Sequence, residues 1–389
     1  MRDEMSTPIP EAPVTGATEE ILREEEAQVM VASQWQLMWW KFRRHKLAMF
    51  AGIVVIALYG VALIAEFFEP FPPDQYAASY TYAPPQRLHI IDRTDGGMKL
   101  GLYVSGYKVA IDAFSFQRTF VVDPAQKIPV TFFAHGFEYK FLGIIKTDIH
   151  IIGPVNKSDP MYLLGADSMG RDLFSKMIAG GRVSLSIGLI GVAISLVLGI
   201  LLGGISGYYG GAIDNIIQRI IEFLRSLPTI PLWMSLAAAL PVRWPPMYVY
   251  FGITVILSFI GWTGLARVVR GRFLALREED FVLAARLDGS SQLRIILHHM
   301  VPSFMSHIIA SITLAIPGMI LAETALSFLG LGLRPPVVSW GVLLQDAQNV
   351  RAVSTAPWLM IPGLAVVVAV LSLNFLGDGL RDAADPYAR

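Results

Sequence analysis

The sequence contains no cysteine, which excludes disulfides, thiolate nucleophiles and cysteine-based zinc or iron–sulfur sites. Charge is scarce: Asp, Glu, Lys and Arg together make up 16% of residues, against about 25% in a soluble domain. No Gly-x-x-x-x-Gly-Lys-Ser/Thr phosphate loop occurs, nor a single Gly-Lys pair, so ATP is not held by that route. The apolar runs lack the chain of Asp, Glu or His that makes a proton relay. No Ser/His/Asp grouping has a local signature, and His298-His299 are adjacent, so they do not share a helix face as a metal pair would. The chain therefore reads as no enzyme and as binding no cofactor or metal. Any work it does draws energy from a partner.

What is present is hydrophobicity. At 54% apolar residues, gathered into membrane-length runs, the chain is a membrane protein. Formal net charge is zero, but acidic residues gather at the extreme N-terminus and basic ones beside several runs. That partition sets orientation in a bilayer and gives no nucleic-acid footprint.

Residues 1–18 are rich in Pro, Thr, Ala and Glu without periodicity and read as disordered. A helix then begins acidic at Glu24, Glu25 and Glu26. It turns aromatic and basic through Trp35, Trp39, Trp40, Lys41, Arg43, Arg44 and Lys46, as befits a headgroup-level segment on the cytoplasmic surface. Residues 1–46 are thus a cytoplasmic segment with an interfacial helix. Residues 47–68 follow as the first span, at about 33 Å long enough to cross the hydrocarbon.

Residues 69–160 change character. Pro70, Pro72, Pro73, Pro84 and Pro85 open the stretch, followed by β-type runs at 87–91, 99–104, 114–122, 129–133 and 139–145. Turn signals fall at Asp95-Gly96-Gly97, Ser105-Gly106, Asp123-Pro124 and His135-Gly136. This is a small extracytoplasmic β-rich insert. Residues 161–389 form the remaining core. Helix resumes over 163–181, with Asp167 or Ser168 as N-cap and Asp172 in its first turns. Five apolar segments follow at 183–206, 216–240, 247–266, 303–327 and 356–376, giving six transmembrane helices. Pro228 and Pro231 put a kink in the third. Glycines at 188, 191, 199, 203 and 207 suit close packing within the subunit. Arg219, Glu222 and Arg225 suit mutual ion pairing, and Glu323 reads as a snorkelling or paired interfacial acid.

The stretch 267–302 organises the rest. Arg267, Arg270, Arg272, Arg277, Arg286 and Arg294 crowd a short connection between spans, which places it in the cytoplasm. Residues 278–287 read as a short amphipathic helix, with Phe281, Ala284, Ala285 and Leu287 able to share a face. Gly289 stops it by taking positive φ, and Pro302 opens the next span.

Ala284-Ala285, then Gly289, then Pro302 resembles the cytosolic loop signature of ABC-importer permeases, although Leu283, His299 and Val301 depart from it. Leu164-Gly-Ala-Asp-Ser-Met-Gly-Arg-Asp-Leu-Phe-Ser175 is similar to a stretch of the dipeptide, oligopeptide and nickel branch. So is Glu323-Thr-Ala-Leu-Ser-Phe-Leu-Gly-Leu-Gly332 followed by Pro335-Pro336 and Ser339-Trp-Gly341. The resemblance implies an α-helical membrane protein with the type I ABC importer permease fold plus the β-rich insert, which lies outside the shared pattern. It implies that Glu278, Asp280, Ala284, Ala285, Arg286, Asp288, Gly289 and Pro302 form the coupling contact with an ATP-binding subunit. It further implies two such subunits carrying ATP and Mg, a homologous second permease subunit, an extracytoplasmic solute-binding protein and a place in the prokaryotic inner membrane. The residues alone leave open a stand-alone secondary transporter or channel, and a membrane anchor displaying the β-rich insert.

Overall fold

A computed structural model describes residues 34–94, 97–111, 118–241 and 243–384. The expected disordered N-terminus and the acidic start of the first helix lie outside the described residues. Helix α1 (Gln34–Arg44) ends on Lys41, Arg43 and Arg44 and exposes Trp35, Trp39 and Trp40 while burying Met38 and Phe42. His45 caps α2 (Lys46–Leu63), its Nδ1 accepting from the Ala48 backbone N–H at 3.1 Å.

The expected first span, 47–68, is not one helix. Ile64 leaves helical geometry and a single turn, α3 (Ala65–Phe68), follows. The carbonyls left without partners at a helix end need donors. Arg182, from the next span, supplies them, donating to the Ala62 carbonyl at 2.8 Å and the Leu63 carbonyl at 3.3 Å while gripping both carboxylate oxygens of Glu66.

The insert is an antiparallel meander in the order β1 (Leu88–Thr94), β2 (Gly97–Ile111), β3 (Arg118–Phe141) and β4 (Ile145–Pro154). Its strands differ from those expected. The runs at 114–122 and 129–133 and the start of 139–145 join into the single long β3. Asp123-Pro124 and His135-Gly136 are not turns but lie where the register shifts, against Ser105/Gly106 and between His135 and Tyr139; a bulge absorbs such residues without ending the strand. The real hairpin turn is Leu142-Gly143, at φ +50 and +75, the pair of left-handed residues that a tight hairpin favours. Asp95-Gly96 and the start of the 114–122 run lie outside the described residues. Val104, Ile128, Val130 and Ile152 pack with Met161 on one face. The sheet is moored at His150, whose Nδ1 lies 2.8 Å from the Glu66 carbonyl, and the segment leading into it is moored at Phe71, which packs on the sheet's cluster and donates its N–H to Ser175 at 3.2 Å.

Helix α4 (Leu173–Tyr209) runs 37 residues, beginning well before the expected 183; residues 163–172, expected to be helical, are not. The expected third span is broken into α5 (Gly211–Ser226) and α6 (Thr229–Ala238). Pro228 forces Leu227 into extended geometry, φ −83 and ψ 139, because its ring clashes with a helical predecessor. There follow α7 (Pro246–Leu276), α8 (Asp280–Leu287), α9 (Gln292–Arg294), a π-helical turn Ile295–Met300, and α10 (Val301–Ser303). The chain closes with α11 (Met305–Phe328), α12 (Trp340–Gln345), α13 (Val350–Thr355) and α14 (Ile361–Ala384). Among the described residues five helices, α2, α4, α7, α11 and the stretch 357–384, are long and apolar enough to cross a membrane.

Helix α4 is the axis. A Cβ at Gly203 would stand 2.5 Å from the Ala266 carbonyl of α7, and one at Gly188 would stand 2.8 Å from Ile320 of α11, so the glycines do serve close packing within the subunit. Tyr208 of α4, Phe273 of α7 and Ala285 share one cluster, so both long helices finish at the end carrying the 267–302 loop, here the loop end. The other is the sheet end. Between them α5 and α6 carry the chain back: Asp214 pairs with Arg270 at the loop end, while residues 237–241 share a recess with residues 331–337 at the sheet end.

Candidate functional site

At the loop end, α8 is a short helix packed on one side only. Asp280 sits in its first turn and Arg286 in its last, each complementing the helix dipole. The helix starts at Asp280, two residues later than expected. It closes through a Schellman pair, the Gly289 N–H donating to the Arg286 carbonyl at 3.0 Å and the Ser290 N–H to Ala285 at 3.1 Å. Gly289 has φ +74, which only glycine adopts without strain. The expected apolar face is divided. Val282 and Ala285 are buried against Phe273, Ile295 and Met300, whereas Phe281, Leu283, Ala284 and Leu287 stand exposed on the other sides. Helical spacing explains this: positions three apart share a face, so Val282 and Ala285 turn inward together and Phe281 with Ala284 turn outward.

The other expected contact residues are surface features. Glu278 pairs with its neighbour Arg277 at 3.3 Å, and Asp280 and Asp288 are exposed. Pro302, exposed in α10, stands apart from α8 beyond the π turn. That turn widens the helix by one residue and buries Ile295, Ile296 and Met300 beneath α8. Arg286 stacks on Tyr208, its guanidinium carbon 4.8 Å from the ring centroid and its Nε donating to the Tyr208 hydroxyl at 3.2 Å. Tyr209 donates to Gln292.

Behind α8, Arg270 of α7 grips Asp214 of α5 with two bonds, Nε to Oδ1 at 2.5 Å and Nη2 to Oδ2 at 2.6 Å. Ser206 of α4 donates to the same carboxylate, and Gln218 donates to Ser206 at 3.1 Å. Three helices meet on one carboxylate. Tyr208 and Asp214 were not among the residues the sequence singled out. The available signal was a lone carboxylate in the short connection that opens the next apolar run. Arg219 and Glu222 do pair, at 2.8 Å, on the exposed face of α5.

At the sheet end the two long motifs meet. Asp172, not Asp167 or Ser168, is the N-cap of α4, accepting from the Ser175 N–H at 2.8 Å and the Ser175 hydroxyl at 2.7 Å. Its complete burial pushes its carboxyl up to about 6. Asp167 instead folds the loop in front, accepting from the Met169 and Arg171 N–H groups at 2.8 and 3.0 Å. Arg171 Nε and Lys176 Nζ donate to its other oxygen at 2.7 and 2.6 Å. Burial alone would raise this carboxyl, but the Lys176 ammonium and these bonds hold it below the ordinary value.

Glu323 does not snorkel. It is fully buried and accepts from Ser184 at 3.1 Å and Ser327 at 2.8 Å. Ser184 in turn accepts from the Trp340 N–H at 3.1 Å, and Ser327 from the Leu333 N–H at 3.0 Å. The carboxylate thereby ties α4, α11 and the loop before α12 together, so the stretch that opens on Glu323 and the Ser339-Trp340 pair work as one structural unit. Among the described residues no three His, Asp or Glu side chains converge as a metal site.

The family described as binding-protein-dependent transport system inner membrane component matches residues 195–389, and the N-terminal transmembrane domain of oligopeptide transport permease C matches residues 33–85. The oligopeptide transport system permease protein OppC of Haemophilus influenzae is 38% identical over 244 residues, 62% of this chain and 76% of that one. The dipeptide transport system permease protein DppC of Bacillus subtilis is 39% identical over 230 residues, 59% of this chain and 69% of that one. Among solved structures, the inward-facing MetNI methionine ABC transporter aligns over 53% of this chain and 95% of its own, at 17% identity and TM-score 0.40, too distant to argue from. On these matches the chain belongs to the binding-protein-dependent transport system inner membrane components, within their oligopeptide and dipeptide permease group.

Proposed function

We propose that this chain is one of two membrane subunits enclosing a path for peptides or peptide-like solutes, driven by two separate ATP-binding subunits that dock on α8. The carrying observation is the division of α8, the lever of this reading: Val282 and Ala285 are locked into the loop-end core while Phe281, Ala284 and Leu287 stand exposed among the described residues. A helix held on one side and open on the other can receive a push and pass it to α4, α7 and α11, whose ends share its cluster. Glu278, Asp280, Arg286 and Asp288 rim that face, and Gly289 with Pro302 fixes the turns that follow.

In this reading α5 and α6 together cross the bilayer as the broken third of six spans. The run from Asp214 at the loop end to residues 237–241 at the sheet end supports it. The arginines of the 267–302 loop favour the cytoplasm for the loop end, so the sheet faces the opposite side of the inner membrane, where a solute-binding protein would deliver cargo. ATP and Mg belong to the partners.

The test pairs two substitutions. Ala284→Glu lies on the exposed face and Ala285→Glu in the core. The first is expected to abolish capture of the ATP-binding subunits and ATP-driven uptake in proteoliposomes while leaving the unfolding temperature unchanged; the second lowers that temperature. Full uptake by Ala284→Glu overturns the docking role. Uptake driven by an ion gradient without ATP-binding subunits favours a stand-alone transporter instead.

A further inference from the structure

The β3–β4 hairpin ends in Phe141-Leu142-Gly143-Ile144-Ile145, and its apolar tip is bare: Leu142, Ile144 and Ile145 are 51%, 82% and 62% exposed. Higher on the same strand Phe132 and Phe133 are 56% and 65% exposed. Phe133 has φ +54, a conformation costly for a bulky residue and kept only where surroundings impose it. An exposed apolar hairpin of this kind invites aggregation unless something covers it.

Its position says what does. The Phe67 ring, in the single turn directly after the first membrane helix, lies 6.4 Å from Phe141, edge-on, and 6.4 Å from Phe133. Phe68 packs edge-on against Phe67 at 5.6 Å. The hairpin tip therefore sits at the level where α2 leaves the hydrocarbon, the depth at which aromatic rings settle in a bilayer. Charge agrees. Lys140 and Lys146 are directly paired across the hairpin, both exposed, and pairing like charges costs stability unless an anion lies over them. One face of the tip turns Phe141 and Ile145 to Phe67, and the opposite face presents the two lysines.

We infer that the β3–β4 hairpin dips its Leu142–Ile145 tip into the boundary between headgroups and acyl chains of the leaflet on the sheet side, with Lys140 and Lys146 gathering anionic lipid phosphates. Long basic side chains reach headgroups while apolar neighbours enter the acyl region. The insert is then tethered to the bilayer at its tip and to the bundle through the His150–Glu66 and Phe71–Ser175 bonds, which fixes its tilt on the sheet end. The inference rests on α2 crossing the membrane and is independent of the transport reading.

The absence of native cysteine allows a direct test on the full chain in nanodiscs of phosphatidylcholine, with or without phosphatidylglycerol. A nitroxide is placed at Ile144→Cys and, as a control elsewhere on the insert, at Val155→Cys. At 144 the label is expected to collide with oxygen several-fold more, and with a water-soluble nickel chelate several-fold less, than at 155. Lys140→Glu with Lys146→Glu should reduce that contrast where phosphatidylglycerol is present and less where it is absent. Equal chelate access at the two sites overturns the inference. So does protection at 144 that arises only after a solute-binding protein is added, which would make the tip a protein contact. Protection unaffected by the lysine reversals in both lipid mixtures removes the phosphate role.

Discussion

The two ends of α4 are held by different physics. At the sheet end its backbone is clamped by buried polar groups: the Asp172 cap, the Asp167–Lys176 pair, Arg182 on the end of α2, and Ser184 between Glu323 and Trp340. At the loop end it is held by glycine contacts with α7, by the buried Asp214 carboxylate in the grip of a partly exposed Arg270, and by the exposed Arg286 stacked on Tyr208. A buried network has one low-energy arrangement, since breaking any bond strands a desolvated group. Small-residue contacts and an exposed cation such as Arg286 can shift and re-form at little cost. The sheet end is thus held by several buried polar clamps and the loop end by one, at Asp214, beside small-residue and exposed contacts.

The comparison is broken most severely by Asp167→Ala. Lys176 would be left buried and unpaired, so the detergent-solubilised protein should lose about 3–5 kcal/mol in unfolding. A loss near zero would mean that the sheet end is no more locked than the other. A second probe is pH. Glu69, almost fully buried beside Glu66, is pushed by burial up to about 8, and Asp172 up to about 6. Both carboxyls hold their proton more tightly folded than unfolded, so their contribution is complete below the ordinary carboxylate range. It is lost as pH rises through that window, and Glu69 is the last to lose it, near 8. The unfolding temperature should therefore fall from acid to mildly alkaline pH, and Glu69→Gln should flatten the fall; an unchanged slope in that variant assigns it elsewhere. The smallest effect is expected at the loop end. Arg286→Ala removes one stacked cation and one hydrogen bond, costing about 0.5–1 kcal/mol, yet it frees the lever from Tyr208. Its sharper readout is ATP hydrolysis without uptake, and tight coupling in that variant would show that the stacking does not position α8.

Much of this was legible in one dimension. Hydrophobic runs gave the membrane class, the arginines of 267–302 marked the loop, and Gly289 was identified as a left-handed stop, because these properties depend on neighbours in the chain. The β-rich insert was legible as a class but not in its strands. Asp123-Pro124 and His135-Gly136 look like turns until the partner strands absorb them as bulges, whereas Leu142-Gly143 carries a weak local signal and turns anyway. The division of α8 escaped for a related reason. Phe281 is larger and more hydrophobic than Ala285, but Phe273, Ile295 and Met300 take the Val282–Ala285 side of the helix, and no short window of sequence contains all of that wall.

By itself, then, the sequence determined that the chain is a membrane protein, that an arginine-rich loop separates two of its apolar runs and that no nucleotide loop accompanies it. These follow from composition and from periods of a few residues. Tertiary structure alone decided which residues act together. Glu323 meets Ser184 across 139 positions and Arg182 meets Glu66 across 116. Such partners are chosen by the packing of helices whose crossing points no local rule specifies.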